Sequence, residues 1–158
     1  MTQDGSMAAY GKVAVEEFQL GQIGFKFYID GPASGSPLTV FEFTVPPGAK
    51  VPMPHSHDAF DEMGYGLEGV LTFTIGDEVV ELGAGDVGFI PRGVVHGFKN
   101  LHAETARCLA VITPGVLGSA FFKEMGEVAK AAAGGPPDPA AMMAVMRRHG
   151  LTPASPGA

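Results

Sequence analysis

Cysteine is almost missing from this chain: among 158 residues only Cys108 carries a thiol. A single cysteine closes no internal disulfide, and its place inside the strand-like run "TARCLAVI" predicts a buried thiol in a reducing, cytoplasmic setting. Basic residues are scarce too. Lys and Arg total 10 against 17 Asp and Glu, for a formal net charge of −7. A nucleic-acid binder needs a basic stripe to neutralise phosphates, and here the basic pair Arg147-Arg148 stands by itself near the C-terminus. An anionic membrane surface is disfavoured on the same ground. No apolar stretch approaches the roughly 18 residues of a spanning helix. The opening "MTQDGSMAAYGKVAVEE" lacks the basic leader and apolar run of a secretory signal. The expectation is a cytoplasmic protein with no nucleic-acid or membrane partner.

Glycine and proline, by contrast, are plentiful at 23 and 13, hydrophobic residues make up 46% and charged residues 17%. That composition suits one domain with a real core, built from many short strands joined by turns. Candidate strands are "KVAVEEF", "GFKFYI", "LTVFEFTV", "EMGYGLEG", "VLTFTIG", "EVVEL", "DVGFIP", "VHGFKN" and "TARCLAVIT". Several alternate with period two: Leu71, Phe73 and Ile75 share a face opposite Thr72 and Thr74. "GDE" at 76–78 sits where a tight hairpin turns, and "GAGD" at 83–86 marks the next reversal. This succession reads as an antiparallel sandwich or barrel over residues 1–113. After Pro114 the period changes. "SAFFKEMGEVAKAAA" places Phe121, Phe122, Met125, Val128 and Ala129 on one helical stripe. A second helix follows, with Asp138 as N-cap, Pro139 at the first position and Gly150 as the stop. Residues 114–158 thus form a helical extension of the same domain, expected against the outside of the barrel, and "TPASPGA" reads as a loose end.

Two of the five histidines fall in "PHSHDAFDEMGYGLEG", residues 54–69. On an extended strand His55 and His57 point to the same side. With a nearby carboxylate from Asp61 or Glu62 they either meet solvent or grip a metal. Glu62 comes five residues after His57 and Gly69 seven after that; further on, "GDVGFIPRGVVHGFKN" holds Gly85, Pro91, Gly93, His96 and Asn100.

These residues resemble the two signature motifs of the cupin superfamily. The second fits at every position; the first departs only in Gly48, which stands one residue further from His55 than the commonest spacing. The resemblance implies an all-β double-stranded β-helix (jelly-roll) barrel with the two helices C-terminal to it. It also implies one metal held by His55, His57, Glu62 and His96, and its register selects Glu62 over Asp61. Imidazole and carboxylate donors suit a divalent transition metal such as Fe, Mn, Ni, Co, Cu or Zn, with a position left open for a ligand. His102 and His149 lie outside both motifs and read as ordinary surface or helix residues. Pro91 and Gly93 read as the turn presenting His96, and Asn100 as a loop brace.

From Glu62, the residues facing the same way are Gly64 and Gly66. Two glycines in a strand sacrifice packing; they either mark a bulge or the close approach of another backbone, or widen a substrate pocket beside the metal, and the pocket is the expectation, with Phe98 on the wall. Phe41, Phe43, Phe73 and Phe89 are further aromatic candidates for pocket or core. The chain looks like small single-domain bacterial cupins described as quercetin dioxygenase-like. That likeness implies a dioxygenase acting on a phenolic or enol-type small molecule, with Glu62 doubling as general base. A non-redox isomerase, cyclase or lyase is the second reading, and a binding or sensing module the third, because the fold does not decide the reaction. A homodimer is expected, with "KVAVEEF" and "GFKFYI" pairing across a two-fold axis.

Overall fold

The computed structural model describes residues 14–51 and 53–154. Its elements in chain order are β1 (Glu16–Leu20), β2 (Ile23–Ile29), the short α1 (Gly31–Ser34), β3 (Thr39–Val45), β4 (His55–His57), β5 (Asp61–Glu68) and β6 (Leu71–Ile75). There follow β7 (Glu78–Leu82), β8 (Val87–Ile90), β9 (His96–Lys99), β10 (Ala106–Thr113), α2 (Ser119–Ala131), α3 (Pro139–Arg148) and β11 (Leu151–Pro153). The strands form two antiparallel sheets, β1-β2-β3-β10-β5-β8 and β11-β4-β9-β6-β7, the all-β jelly-roll arrangement expected.

Period-two alternation accounts for most of the core. β10 buries Ala106, Cys108, Ala110 and Ile112 and leaves the residues between them half-buried. β2 buries Ile23, Phe25 and Phe27 in the same way, and these meet Phe41 and Phe43 of β3. Cys108 is a buried free thiol, as predicted. Burial, and after it the Glu62 charge, pushes it up to about 12. The β6–β7 hairpin turns at Gly76-Asp77, with Ile75 paired to Glu78 and Gly76 at φ +58°.

Asn100 braces the long connections. Its side-chain amide donates to the carbonyls of Val45 at 2.9 Å and Glu104 at 2.8 Å, while its oxygen accepts from the His102 amide at 2.9 Å. With Asn100 only 1% exposed, Asn100→Ala strands the buried Val45 carbonyl. A loss of about 2–4 kcal/mol in denaturant-measured stability is expected.

On the outer face Glu42 is buried yet ion-paired. Arg107 Nε donates to it at 2.7 Å and the Tyr28 hydroxyl at 3.0 Å. The Arg107 hydrogen bond holds its carboxyl below the usual range, against the opposing effect of burial. A folded-state pKa below the unfolded one adds stability that is present above about pH 4.5 and lost as the pH falls through the folded value. Glu42→Gln should therefore flatten the acid limb of stability, read as urea midpoints across about pH 3 to 7.

Four expectations need correction. The helices are not applied to the outside of a finished barrel: Phe121 and Met125 of α2, and Met142, Val145 and Met146 of α3, are part of the core. The predicted loose end begins with a strand, for β11 pairs with β4 in the register Leu151↔His57 and Pro153↔His55. The reason is local: α3 is capped by Asp138 as expected, and Gly150 at φ +79° turns the chain straight back along β4. Phe89 is 60% exposed, because its neighbour Ile90 pairs with the inward-facing Glu62 and Phe89 pairs with Met63 on the outer face. Of the two N-terminal strands only β1 presents a free edge among the described residues, since β2 is paired on both sides; Lys12 and Val13 of "KVAVEEF" lie outside them.

Candidate metal centre

β4 is short, but its alternation does what the spacing predicts: both rings turn to the interior of the barrel. Across the sheet His55 is paired directly with His96 of β9, so pairing register alone brings the third imidazole opposite the first. Ring centroids stand 5.3 Å apart for His55–His57, 4.7 Å for His55–His96 and 4.4 Å for His57–His96. One nitrogen from each of the three lies within 4.8 Å of the others. Glu62 enters from β5 in the opposite sheet, its Oε2 3.5 Å from His57 Nε2. That is long for a charge-assisted hydrogen bond. It is close to the separation of two donors that each stand about 2.1 Å from a shared ion, but the Glu62 carboxylate does not come within 4.8 Å of all three imidazoles, so the group drawn together is the His triad.

The hydrogen bonds around the cluster orient the donors. His55 Nδ1 lies 3.0 Å from the Met53 carbonyl and His96 Nδ1 3.0 Å from the Val94 carbonyl. A carbonyl only accepts, so Nδ1 carries the proton in both rings and Nε2 is left as a bare lone pair. His57 is 1% exposed, stacked on Phe60 at 4.2 Å, and its Nδ1 has no partner. An unpartnered buried ring nitrogen carries a desolvation cost.

The turn before β9 is stitched to β4. Gly93, at φ +80°, donates its amide to the His57 carbonyl at 2.8 Å. Arg92 grips Asp61 with three hydrogen bonds of 2.8–3.1 Å. Asp61 thus faces outward, as expected from the alternation of β5, and these Arg92 hydrogen bonds hold its carboxyl down at about 2. His102 and His149 pair on the surface with Glu81 and Glu124.

Burial sets the charge states. It pulls His55 down to about 4 and His57 to about 2, with neighbouring imidazoles adding to the effect, and it lowers His96 as well. All three are therefore neutral at physiological pH, the form that donates to a metal. Burial pushes the Glu62 carboxyl up to about 7, although its side chain keeps 15% exposure toward the cavity. Three neutral nitrogens fit a divalent transition metal with coordination positions to spare, and the Glu62 carboxylate stands beside one of them, His57.

The cluster opens into a cavity of about 250 Å³. Phe41 and Phe43 of β3, Phe73 of β6 and Phe98 of β9 line it from the two sheets. Phe121, Phe122 and Met125 of α2, Met146 of α3 and Leu151 of β11 close it from the C-terminal side. The pattern of the helical stripe pointed to an apolar face, but not to the cavity that this face covers. Phe98 is on the wall, where it was expected.

Gly64 and Gly66 are not. Both face inward, but beyond Glu62 into the packed sandwich. A Cβ on Gly66 would collide with the carbonyl of Gly83, so that glycine admits a neighbouring backbone. A Cβ on Gly64 would rest in ordinary contact with Cys108 Sγ at 3.4 Å and Leu82 Cδ2 at 3.6 Å. Neither lines the large cavity, while Gly64 lines a separate void of about 10 Å³ that Glu62 also lines.

Residues 41–112, from β3 to β10, match the Cupin domain family, and all four candidate donors lie in that span. The chain belongs to the cupin superfamily. Among solved structures this cupin is similar to the polyketide cyclase RemF of Streptomyces resistomycificus. The two are 30% identical with TM-score 0.54, over 65% of this chain and 74% of that one. It is also similar to a predicted oxalate decarboxylase of Thermotoga maritima, 25% identical with TM-score 0.57 over 65% and 94% of the two chains. KdgF of Halomonas sp. shares the fold at 22% identity, with TM-score 0.54 over 64% and 86%. No curated protein matches this cupin significantly in sequence. Among the described residues no helix is long and apolar enough to cross a membrane.

Proposed function

We propose that this cupin binds one divalent transition metal per chain through His55, His57, His96 and Glu62, and acts as a dioxygenase on a phenolic or enol-type small molecule. One observation carries the reading: the donor cluster forms the polar end of a cavity whose interior is otherwise hydrocarbon. A divalent ion held there supplies positive charge that lowers the pKa of a coordinated hydroxyl. Glu62, at the polar end of the cavity beside His57, is placed to accept the hydroxyl proton as substrate enters. The phenylalanine walls stack on a flat ring and exclude water from the electron-rich anion so formed. Dioxygen is the oxidant, and both its atoms end in the cleaved product.

The likeness to a polyketide cyclase favours a second reading, non-redox cyclisation, isomerisation or lysis of the same kind of enolisable substrate. Protein loaded in turn with Fe, Mn, Ni, Co, Cu and Zn, and offered a panel of phenols and diketones, separates the two. Oxygen uptake matching substrate loss is the expected result. Turnover that persists without oxygen moves the assignment to the second reading, and binding without turnover to a sensing role. A homodimer through the edge that β1 leaves free among the described residues belongs to the same proposal; a light-scattering mass of one 16.4 kDa chain would overturn it.

A further inference from the structure

We infer that the cavity selects a compact, flat, apolar molecule, either one ring with a short chain or two fused rings, carrying a single ionisable oxygen. The inference rests on the metal-dependent reading above and narrows its substrate class. Polarity supplies the first argument. Among the described residues lining the cavity, polar side chains other than the donor cluster are Gln22 and Lys50, and both are exposed. A ligand therefore finds one polar end. A second polar group carried inward would lose its water and gain no partner. Dicarboxylates too long to place both groups on the ion, such as glutarate, and polyhydroxylated sugar acids are excluded on that ground.

Size supplies the second argument. An apolar cavity of about 150 Å³ holds benzene. At about 250 Å³ this one has room for a second small ring or a short chain, but not for a three-ring flavonol. Shape agrees: Phe98 stacks on Phe43 with centroids 4.9 Å apart and 26° between planes, giving the wall a flat aromatic surface.

The residues that set this size are not in the metal motifs. Phe122, Met125 and Ala129 of α2 and Met146 of α3 line the cavity from outside the span 41–112 that matches the family. The polar floor thus belongs to the shared part of the fold, and the wall facing it to this chain's own tail.

The test uses full-length protein loaded with zinc, which is redox-inert, so that binding is read without turnover. Calorimetric titration compares phenol, 2-naphthol, quercetin and glutarate. We expect 2-naphthol to bind at least tenfold more tightly than each of the others, and at least tenfold more tightly than it binds metal-free protein. Ala129→Phe should weaken 2-naphthol at least tenfold while zinc content and melting temperature hold. Phe122→Ala should raise quercetin affinity at least tenfold. Glutarate or quercetin binding the wild type as tightly as 2-naphthol overturns the inference, as does an affinity order unchanged in both variants. Failed zinc loading counts against the metal reading instead; the order of 2-naphthol and quercetin on metal-free protein then decides the size inference. Tight 2-naphthol binding with no turnover on any metal removes the dioxygenase assignment and leaves the inference standing.

Discussion

Gly66→Val is expected to lose about 3–5 kcal/mol of folding stability, a large share of the roughly 5–15 kcal/mol a domain has. The collision is with backbone. Gly66 donates its amide to the Asp86 carbonyl at 3.0 Å, and its own carbonyl accepts from the Gly85 amide at 2.9 Å. The 83–86 loop is therefore clamped to β5 on both sides of the position where a Cβ would strike Gly83. The Asp86 carboxylate fixes the loop further by accepting from the Gly83 amide at 2.9 Å. Making room means breaking these bonds, whereas a flexible side chain would simply rotate away. Gly64→Ala provides the contrast, because its new methyl meets Cys108 and Leu82 at ordinary contact distance; a change within about 1 kcal/mol is expected. Thermal melts of the two variants, with metal content measured on the same samples, make the comparison. If Gly66→Val melts with Gly64→Ala, the close backbone approach has been misjudged.

His57→Leu should abolish metal loading while sparing the metal-free fold. Loss of a group that only orients a metal-binding side chain already costs metal affinity about 10- to 100-fold, and removal of a direct donor is expected to exceed that. In metal-free protein the balance differs. The imidazole is buried with an unpartnered Nδ1, and leucine fills a similar volume beside Phe60 without a polar atom to satisfy. Metal-free His57→Leu should then melt at or slightly above the metal-free wild type. An ion that binds only the folded state adds about 4 kcal/mol at a thousandfold excess over its Kd. Wild type should rise in melting temperature by several degrees on metal addition, and the variant should not. Elemental analysis showing one metal per chain in His57→Leu would remove this histidine from the donor set.

How much of this was legible in the amino-acid order follows from the range of each signal. Alternation over eight residues places Cys108 inside and Tyr65 outside, because successive side chains on a strand point to opposite faces whatever the strand packs against. The Asp138–Pro139 start of α3 and the turn at Gly76 are likewise local, each carried by one or two residues whose backbone preferences are strong. The resemblance to the cupin motifs, whose spacing is local within each motif, implied His55, His57, Glu62 and His96 as candidate donors before any coordinates.

Period two says which side a residue faces but not what meets it there. Gly64 and Gly66 point inward alike, yet one meets a thiol and the other a carbonyl, a difference set by where the 83–86 loop crosses β5. Phe89 follows the same rule: its face is fixed only once β8 pairs with β5 so that Ile90 stands opposite Glu62. Leu151–Pro153 is too short to signal a strand, and it becomes one because Gly150 returns the chain along the His55–His57 strand. The donors, their spacing and the strands that carry them were determined by sequence alone. The cavity they open into was decided by the tertiary structure, because its walls come from β3, β9, α2, α3 and β11, segments far apart in the chain that meet only when the two sheets and the tail pack together.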